Sequence, residues 1–310
     1  MKFAAFGRTR VLHDSILAAI EAGHELTLVG TCKAESEYDV DEGDFARLAE
    51  KFGCPFFNSA DINDPRQIEQ ARIAGADVAI SVNWLTVVGS EMRSLFRHGV
   101  LNGHAGDLPR FRGNACPNWA ILTGEPKVTV TIHQMGDGID DGPIFLKRAM
   151  PLEHSTYIED VYSFLNRETP QMFIEVIEGI AANTLRAQAQ PENPDLALRC
   201  YPRRPEDGKI NWDAPVEHIH RLVRASSRPF AGAFTTLEGR EKVIIWRADI
   251  VQHPGAFVAV PGQVSYCLDD DPVIAAADGM LRLTEIEVTG TSDGAEAKAK
   301  ICGSLRNRLV

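Results

Sequence analysis

Lys2-Phe3-Ala4-Ala5-Phe6-Gly7 is a short apolar run that ends in glycine, the pattern of a strand buried on both faces. The segments C-terminal to it decide the kind of sheet that strand joins. Val11–Ala22 places Leu12, Ile16, Leu17 and Ile20 at helical spacing and is closed by Gly23. Leu26–Gly30 reads as a second strand, Phe45–Phe52 as a helix closed by Gly53, and Pro55-Phe56-Phe57 as a short extended segment. Asp64–Ala74 opens with Asp-Pro, a usual cap and first-turn pair, and predicts another helix. Asp77–Asn83 is again an apolar strand. Strand–helix alternation of this kind predicts an α/β fold, a parallel sheet with helices on both faces. Right-handed crossovers then restrict the strand order.

Beyond Leu198 the pattern changes. Arg203-Arg204-Pro205-Glu206-Asp207-Gly208 is a turn-rich linker. Trp212–Arg224 predicts a helix with Val216, Ile219, Leu222 and Val223 on one face. After Pro229 come short strands, Ala233–Leu237, Lys242–Trp246, Gly262–Leu268, Val273–Ala276 and Leu281–Val288, punctuated by Gly and Asp. They predict a small β-barrel. The expected division is a domain over residues 1–197 and a second over 198–310.

The 310 residues are 44% hydrophobic and 24% charged, ordinary for a soluble globular protein. No run approaches the roughly 18 apolar residues of a membrane span. The apolar start is too soon interrupted by Arg8 and Arg10 for a secretory signal, so a cytoplasmic protein is expected. The six cysteines, at 32, 54, 116, 200, 267 and 302, form no CxxC pair. Reduced thiols are therefore expected, with neither a disulfide framework nor a thiolate metal site. The net charge of −11, from 32 basic and 43 acidic residues, counts against a nucleic-acid ligand.

The chemistry-bearing stretch is Leu101-Asn102-Gly103-His104-Ala105-Gly106-Asp107-Leu108-Pro109-Arg110-Phe111-Arg112-Gly113, with Thr129–His133 and Gly136-Asp137-Gly138-Ile139-Asp140-Asp141-Gly142 further along the chain. Asn102 and His104 are two apart, so on an extended strand both point to one side. The end of a parallel strand is where open α/β sheets place their ligands. An amide can donate to a developing oxyanion, and an imidazole moves a proton near neutral pH. A carboxylate from the 136–142 loop beside that imidazole would orient the ring and favour its charged form. On these residues alone a plain strand end, surface turns, or carboxylates around a divalent ion remain open.

Taken together, Asn102/His104, Leu108-Pro109, Phe111-Arg112-Gly113, the Trp119–Leu122 helix with Gly124, Val130–His133 and Gly138–Gly142 resemble the 10-formyltetrahydrofolate-dependent formyltransferases in order and spacing. Among these, the bacterial nucleotide-sugar N-formyltransferases are the most alike. The likeness covers about the first 190 residues. It continues through Tyr201-Pro202-Arg203-Arg204, Trp212, Arg224-Ala225 and Pro229–Phe234 into the second region. It implies a Rossmann-like core with a small C-terminal OB-like barrel. One departure stands beside His104, where Ala105-Gly106-Asp107 replaces the family's Pro-Ser-Leu. The opening Gly7-Arg8-Thr9-Arg10 also differs from the family's.

The resemblance implies catalysis by Asn102, His104 and Asp140 without a metal. It implies 10-formyltetrahydrofolate as formyl donor, held across the end of the Val78–Asn83 strand by Trp84, Leu85, Thr86, Val87, Met135, Gly138 and Ile139. Arg8, Arg112, Tyr201 and Arg204 are candidate contacts to acceptor phosphate or sugar. The expected acceptor is a nucleotide-linked amino sugar of the 4-amino-4-deoxy type, in lipopolysaccharide biosynthesis. Initiator methionyl-tRNA and a non-catalytic folate or nucleotide binder are the alternatives. Lys33–Asp44 holds one Lys against Glu35, Glu37, Asp39, Asp41, Glu42 and Asp44, and such a loop would repel a polynucleotide. No membrane partner is expected. Oligomeric state is left open, a homo-oligomer included.

Overall fold

The computed structural model describes residues 1–35, 38–252 and 255–310. Glu37 of the acidic stretch lies outside them. The chain runs β1 (Lys2–Gly7), α1 (Arg10–Glu21), β2 (Glu25–Thr31), α2 (Glu42–Phe52), β3 (Phe56–Asn58), α3 (Pro65–Ala74), β4 (Val78–Val82), α4 (Ser90–Ser94) and β5 (Val100–His104). Next come β6 (Arg112–Gly113), α5 (Cys116–Leu122), β7 (Lys127–Gln134), β8 (Ile144–Pro151), α6 (Ile158–Ala181) and β9 (Arg199–Cys200). The remainder is α7 (Val216–Ser226), β10 (Ala233–Leu237), β11 (Glu241–Val251), β12 (Val264–Leu268), β13 (Asp271–Ala275), β14 (Met280–Val288) and α8 (Gly294–Cys302). It divides into two compact units. The first comprises residues 1–116, 127–151 and 162–201, and the second residues 117–126, 152–161 and 202–310.

The first unit is built on a seven-stranded sheet of order β3-β2-β1-β4-β5-β7-β8. The strands from β3 to β5 pair in parallel, while β5–β7 and β7–β8 are antiparallel. The sheet is thus mixed rather than wholly parallel. β1 and β4 are buried along almost their whole length, as the unbroken apolar runs require. At the end of β1 a Cβ on Gly7 (φ +153°) would strike the Val82 carbonyl, so only glycine lets the two strand ends approach. Local chemistry sets the helix ends. The Asp41 carboxylate accepts from the Gly43 and Asp44 amides at 2.8 and 3.1 Å, and Asp44 returns the bond to the Asp41 amide. Part of the acidic stretch is therefore a capping box for α2. Asp64 caps α3 ahead of Pro65.

In the second unit an antiparallel sheet of order β10-β11-β14-β13-β12 wraps a core that includes Trp212, Ile219, Val223, Ile245 and Leu283. The chain end closes it. Val310 exchanges backbone bonds with Thr236 beside β10, while Leu309 donates to Gly262 and Asn307 accepts from Val264 beside β12. One short segment thus satisfies both sheet edges, the usual remedy for exposed strand edges. The helix α7 starts at Val216, later than the Trp212 expected from spacing. Trp212 is instead buried ahead of it, donating from Nε1 to Thr235 Oγ1 at 3.1 Å. A second correction concerns the cysteines. Cys267 in β12 and Cys302 at the end of α8 form a disulfide across 35 residues, which no local sequence pattern announces. Cys32, Cys54, Cys116 and Cys200 are free thiols. Among the described residues no helix is long and apolar enough to cross a membrane.

Candidate active site

The interior strand β5 carries Asn102 and His104, and β7 lies against it with Asn102 opposite His133 and His104 opposite Thr131. The loop after β7 returns Asp140 to the same place. Its carboxylate lies 3.6 Å from His104 Nδ1, 3.5 Å from His133 Nε2 and 3.5 Å from the Asn102 amide. The three residues expected to act together do meet, with His133 as a fourth member. Asn102 donates to His133 Nε2 at 3.2 Å while His133 Nδ1 donates to the Gln134 carbonyl at 3.0 Å. Those two bonds assign the His133 tautomer and fix which way the Asn102 amide faces.

Asp140 is held in the left-handed region, φ 51°, a strained setting for a non-glycine residue that costs about 1–3 kcal/mol. Its surroundings enforce the pose. The Gly113 amide donates to its carboxylate at 2.8 Å, and Gln190 Nε2 donates to its backbone carbonyl at 2.8 Å. Arg112 in turn donates to Gln190 Oε1 at 2.6 Å. One Arg112 nitrogen thus helps brace Asp140 through Gln190. Burial pushes the Asp140 carboxyl up, but His104 and the Gly113 amide outweigh it and hold the group well below the usual carboxylate range.

His104 is buried, with Nε2 2.6 Å from the Phe111 carbonyl. Burial draws its pKa below the ordinary value, against the pull of Asp140. At rest the ring is therefore neutral, with an acceptor on each side and one proton to give. Protonation would satisfy both acceptors at once. The Ala105-Gly106-Asp107 departure has a geometric reason. A Cβ on Gly106 would meet the Phe111 carbonyl and come within 2.6 Å of His104 Nε2. Asp107 is pinned by Lys127 at 3.1 Å and Lys147 at 2.8 Å. The thiol of Cys116 lies 3.9 Å from His104 Nε2 and donates to the Phe111 carbonyl at 2.9 Å.

The two segments expected to hold a folate are tied together by Arg93. It donates to the Val88 carbonyl at 3.0 Å and the Met135 carbonyl at 3.3 Å, and it pairs with Asp137. Leu85, Val87 and Ile139 are exposed apolar side chains on these segments. Trp84 and Met135 instead pack against the core, Trp84 edge-on to Phe6 and Phe57. Trp84 also donates to Thr86 Oγ1 at 3.1 Å, and Gly138 donates to Asp141 at 3.0 Å.

The expected acceptor contacts have different local surroundings. Arg8 is buried and already paired, 2.7 Å from Glu35 and 3.1 Å from the Lys33 carbonyl. Tyr201 is exposed, with the Arg199 guanidinium over its ring. Arg204 lies in the second unit, its amide bonded to Asp207. Sequence reasoning passed over His133, Gln190, Cys116 and Arg93. For His133 a signal existed, since Thr129-Val130-Thr131-Ile132-His133 alternates and puts His133 on the Thr131 side.

Residues 1–177 match the model of the formyl transferase family. The chain belongs to that family. Residues 203–296 match the formyl transferase C-terminal domain. Solved formyl transferases and related chains share the fold. HypX from Aquifex aeolicus, solved in complex with tetrahydrofolic acid, is 18% identical with a TM-score of 0.65, over 98% of this chain and 47% of that one. The N-formyltransferase from Helicobacter canadensis, in complex with folinic acid and dTDP-3-aminofucose, is 17% identical with a TM-score of 0.64, over 91% and 98% of the two chains. Methionyl-tRNA formyltransferase from Clostridium thermocellum is 17% identical with a TM-score of 0.57, over 84% and 97%. The chain thus spans about half the length of HypX and nearly the whole of the other two.

Proposed function

We propose that this chain is a cytoplasmic enzyme that transfers the formyl group of 10-formyltetrahydrofolate to the amine of a nucleotide-linked amino sugar, of the 4-amino-4-deoxy type, for cell-envelope polysaccharide synthesis. The reading rests above all on the convergence of Asn102, His104 and His133 on the strained Asp140 carboxylate, within 3.6 Å. The acceptor amine attacks the formyl carbon, and the carbonyl electrons move onto oxygen. The Asn102 N–H that reaches Asp140 only at 3.5 Å is the weakest-held donor, and it turns to that oxygen. His104, neutral at rest, takes the proton from the attacking amine and returns it to the departing folate nitrogen. Asp140 stays ionised throughout and stabilises the imidazolium. Hydrogen-bond donors supply the polarisation, so the reaction needs no metal. The folate lies against the Leu85–Val87 and Gly138–Ile139 segments, whose exposed apolar side chains suit a flat ring.

Charge supports the choice of acceptor. The chain carries −11 overall, and the acidic residues after β2 already engage the arginines after β1, Arg8 with Glu35 and Arg10 with Asp39. A long polyanion finds little there to hold, whereas a nucleoside diphosphate needs only a few donors. Filter binding with initiator methionyl-tRNA at low salt should give no specific complex. Rapid formation of formyl-methionyl-tRNA would overturn the sugar acceptor and leave the formyl-transfer chemistry standing.

A further inference from the structure

The second unit holds a group of side chains that the formyl-transfer chemistry does not use. His154, in the segment between β8 and α6, stacks on His220 of α7, ring centroids 4.5 Å apart. Glu217 lies one helical turn before His220, on the same face, and its carboxylate is 3.1 Å from His154 Nε2. One ligating atom from each of the three lies within 4.8 Å of the others. His220 is 2% exposed. Its ring faces the Ala248 carbonyl, while its Nδ1 is buried without a hydrogen-bond partner among the described residues. Nε2 is therefore the nitrogen that donates to Ala248, which leaves Nδ1 with a bare lone pair.

An orphaned buried acceptor is costly, and this one is oriented in the way metal-binding histidines are. Such residues give their second N–H to a backbone carbonyl, which fixes tautomer and aim. Glu217 is steadied similarly, since Arg221 Nε donates to its other oxygen at 3.1 Å. We propose that His154, Glu217 and His220 form a zinc site, with a fourth position left to solvent. Two imidazoles and one carboxylate are a common zinc donor set. Calcium and magnesium prefer all-oxygen shells, and they would face the guanidiniums of Arg221 and Arg224 with little directional bonding in return. The adjustment required is small. The near-parallel rings, 24° apart, do not yet converge, and the His154 side chain, 60% exposed, is free to turn until its nitrogen shares an ion with Glu217.

The test uses the full chain, stripped with a chelator and titrated with Zn²⁺ against a chromogenic competitor, with Co²⁺ as spectroscopic probe. One equivalent should bind, the Co²⁺ spectrum should show nitrogen and oxygen ligands without a thiolate charge-transfer band, and Zn²⁺ should raise Tm. His154→Ala and Glu217→Gln are exposed enough to fold. Each should weaken binding by more than about tenfold, at least what loss of a supporting outer contact costs, and remove the Tm shift. Unchanged Zn²⁺ affinity in both variants, a thiolate band, or equal binding of Mg²⁺ would each overturn the site. None of these readouts depends on formyl transfer.

Discussion

Asp140→Asn isolates the charge at the centre of the candidate site. The amide keeps the shape and an acceptor for the Gly113 N–H, now 2.8 Å away, so the loop should hold. What disappears is the carboxylate 3.6 Å from His104 Nδ1. A full carboxylate–imidazolium pair at that distance is worth about 4–5 kcal/mol at an effective dielectric of about 20. The Phe111 carbonyl remains and recovers part of it. A loss of about 3–4 kcal/mol from the transition state corresponds to a fall in kcat of roughly 10²–10³-fold. Single-turnover formyl transfer at saturating folate reads this directly, and imidazole NMR should show the His104 pKa drawn lower still. The same substitution carries a stability signature. The Asp140 pKa is depressed on folding, so its contribution is present above the unfolded carboxylate value of about 3.9 and is lost as pH falls below it. Wild type should therefore lose stability more steeply than Asp140→Asn below about pH 4. A folded Asp140→Asn protein with near wild-type kcat would refute the assigned role of the carboxylate.

Other substitutions test separate parts of the structure. His104→Ala should slow turnover by roughly 10²–10⁴-fold and Asn102→Ala by a comparable factor, and near wild-type turnover in folded His104→Ala would mean that another group carries the proton. Arg93→Ala should uncouple the Val88 and Met135 segments and raise KM for 10-formyltetrahydrofolate by roughly tenfold, about 1.4 kcal/mol of binding, with kcat little changed. A selective fall in kcat would argue that Arg93 does not act on folate binding. Cys267→Ser opens a loop of 35 residues, worth about 3–4 kcal/mol by chain entropy, so Tm should drop by several degrees and reductant should do the same to wild type. An unchanged Tm in both would show that the bond contributes nothing.

How much of this was legible beforehand depends on the range of the interactions. The apolar runs of β1, β2 and β4 declared themselves because a strand buried on both faces needs no partner to be recognised. The pairing of Asn102 with His104 followed from the two-residue period of β5. That Asp140 would reach them, rather than Asp137 or Asp141, came from the family resemblance, because a loop of mixed Gly and Asp does not say which carboxylate turns inward. The braces were invisible. Gln190 lies 50 residues from Asp140, and nothing local marks it. The meeting of Arg112 with Gln190 is equally hidden from the local sequence. The pairing of Arg8 with Glu35 spans a helix and a second strand, so no local pattern announces it. The antiparallel direction of β7 was not legible, because a buried strand reads alike in either direction. The Cys267–Cys302 bond escaped because spacing alone cannot say which distant thiols a fold brings together.

The most direct measurement is formyl transfer itself. Purified protein is incubated with 10-formyltetrahydrofolate labelled in the formyl carbon and with a panel of nucleotide-linked amino sugars, initiator methionyl-tRNA in parallel, and products are followed by mass spectrometry. The geometry around Asp140 predicts a labelled formamide on one of the nucleotide sugars, lost in His104→Ala. No labelled product from any amine, or equal product from His104→Ala, would contradict it.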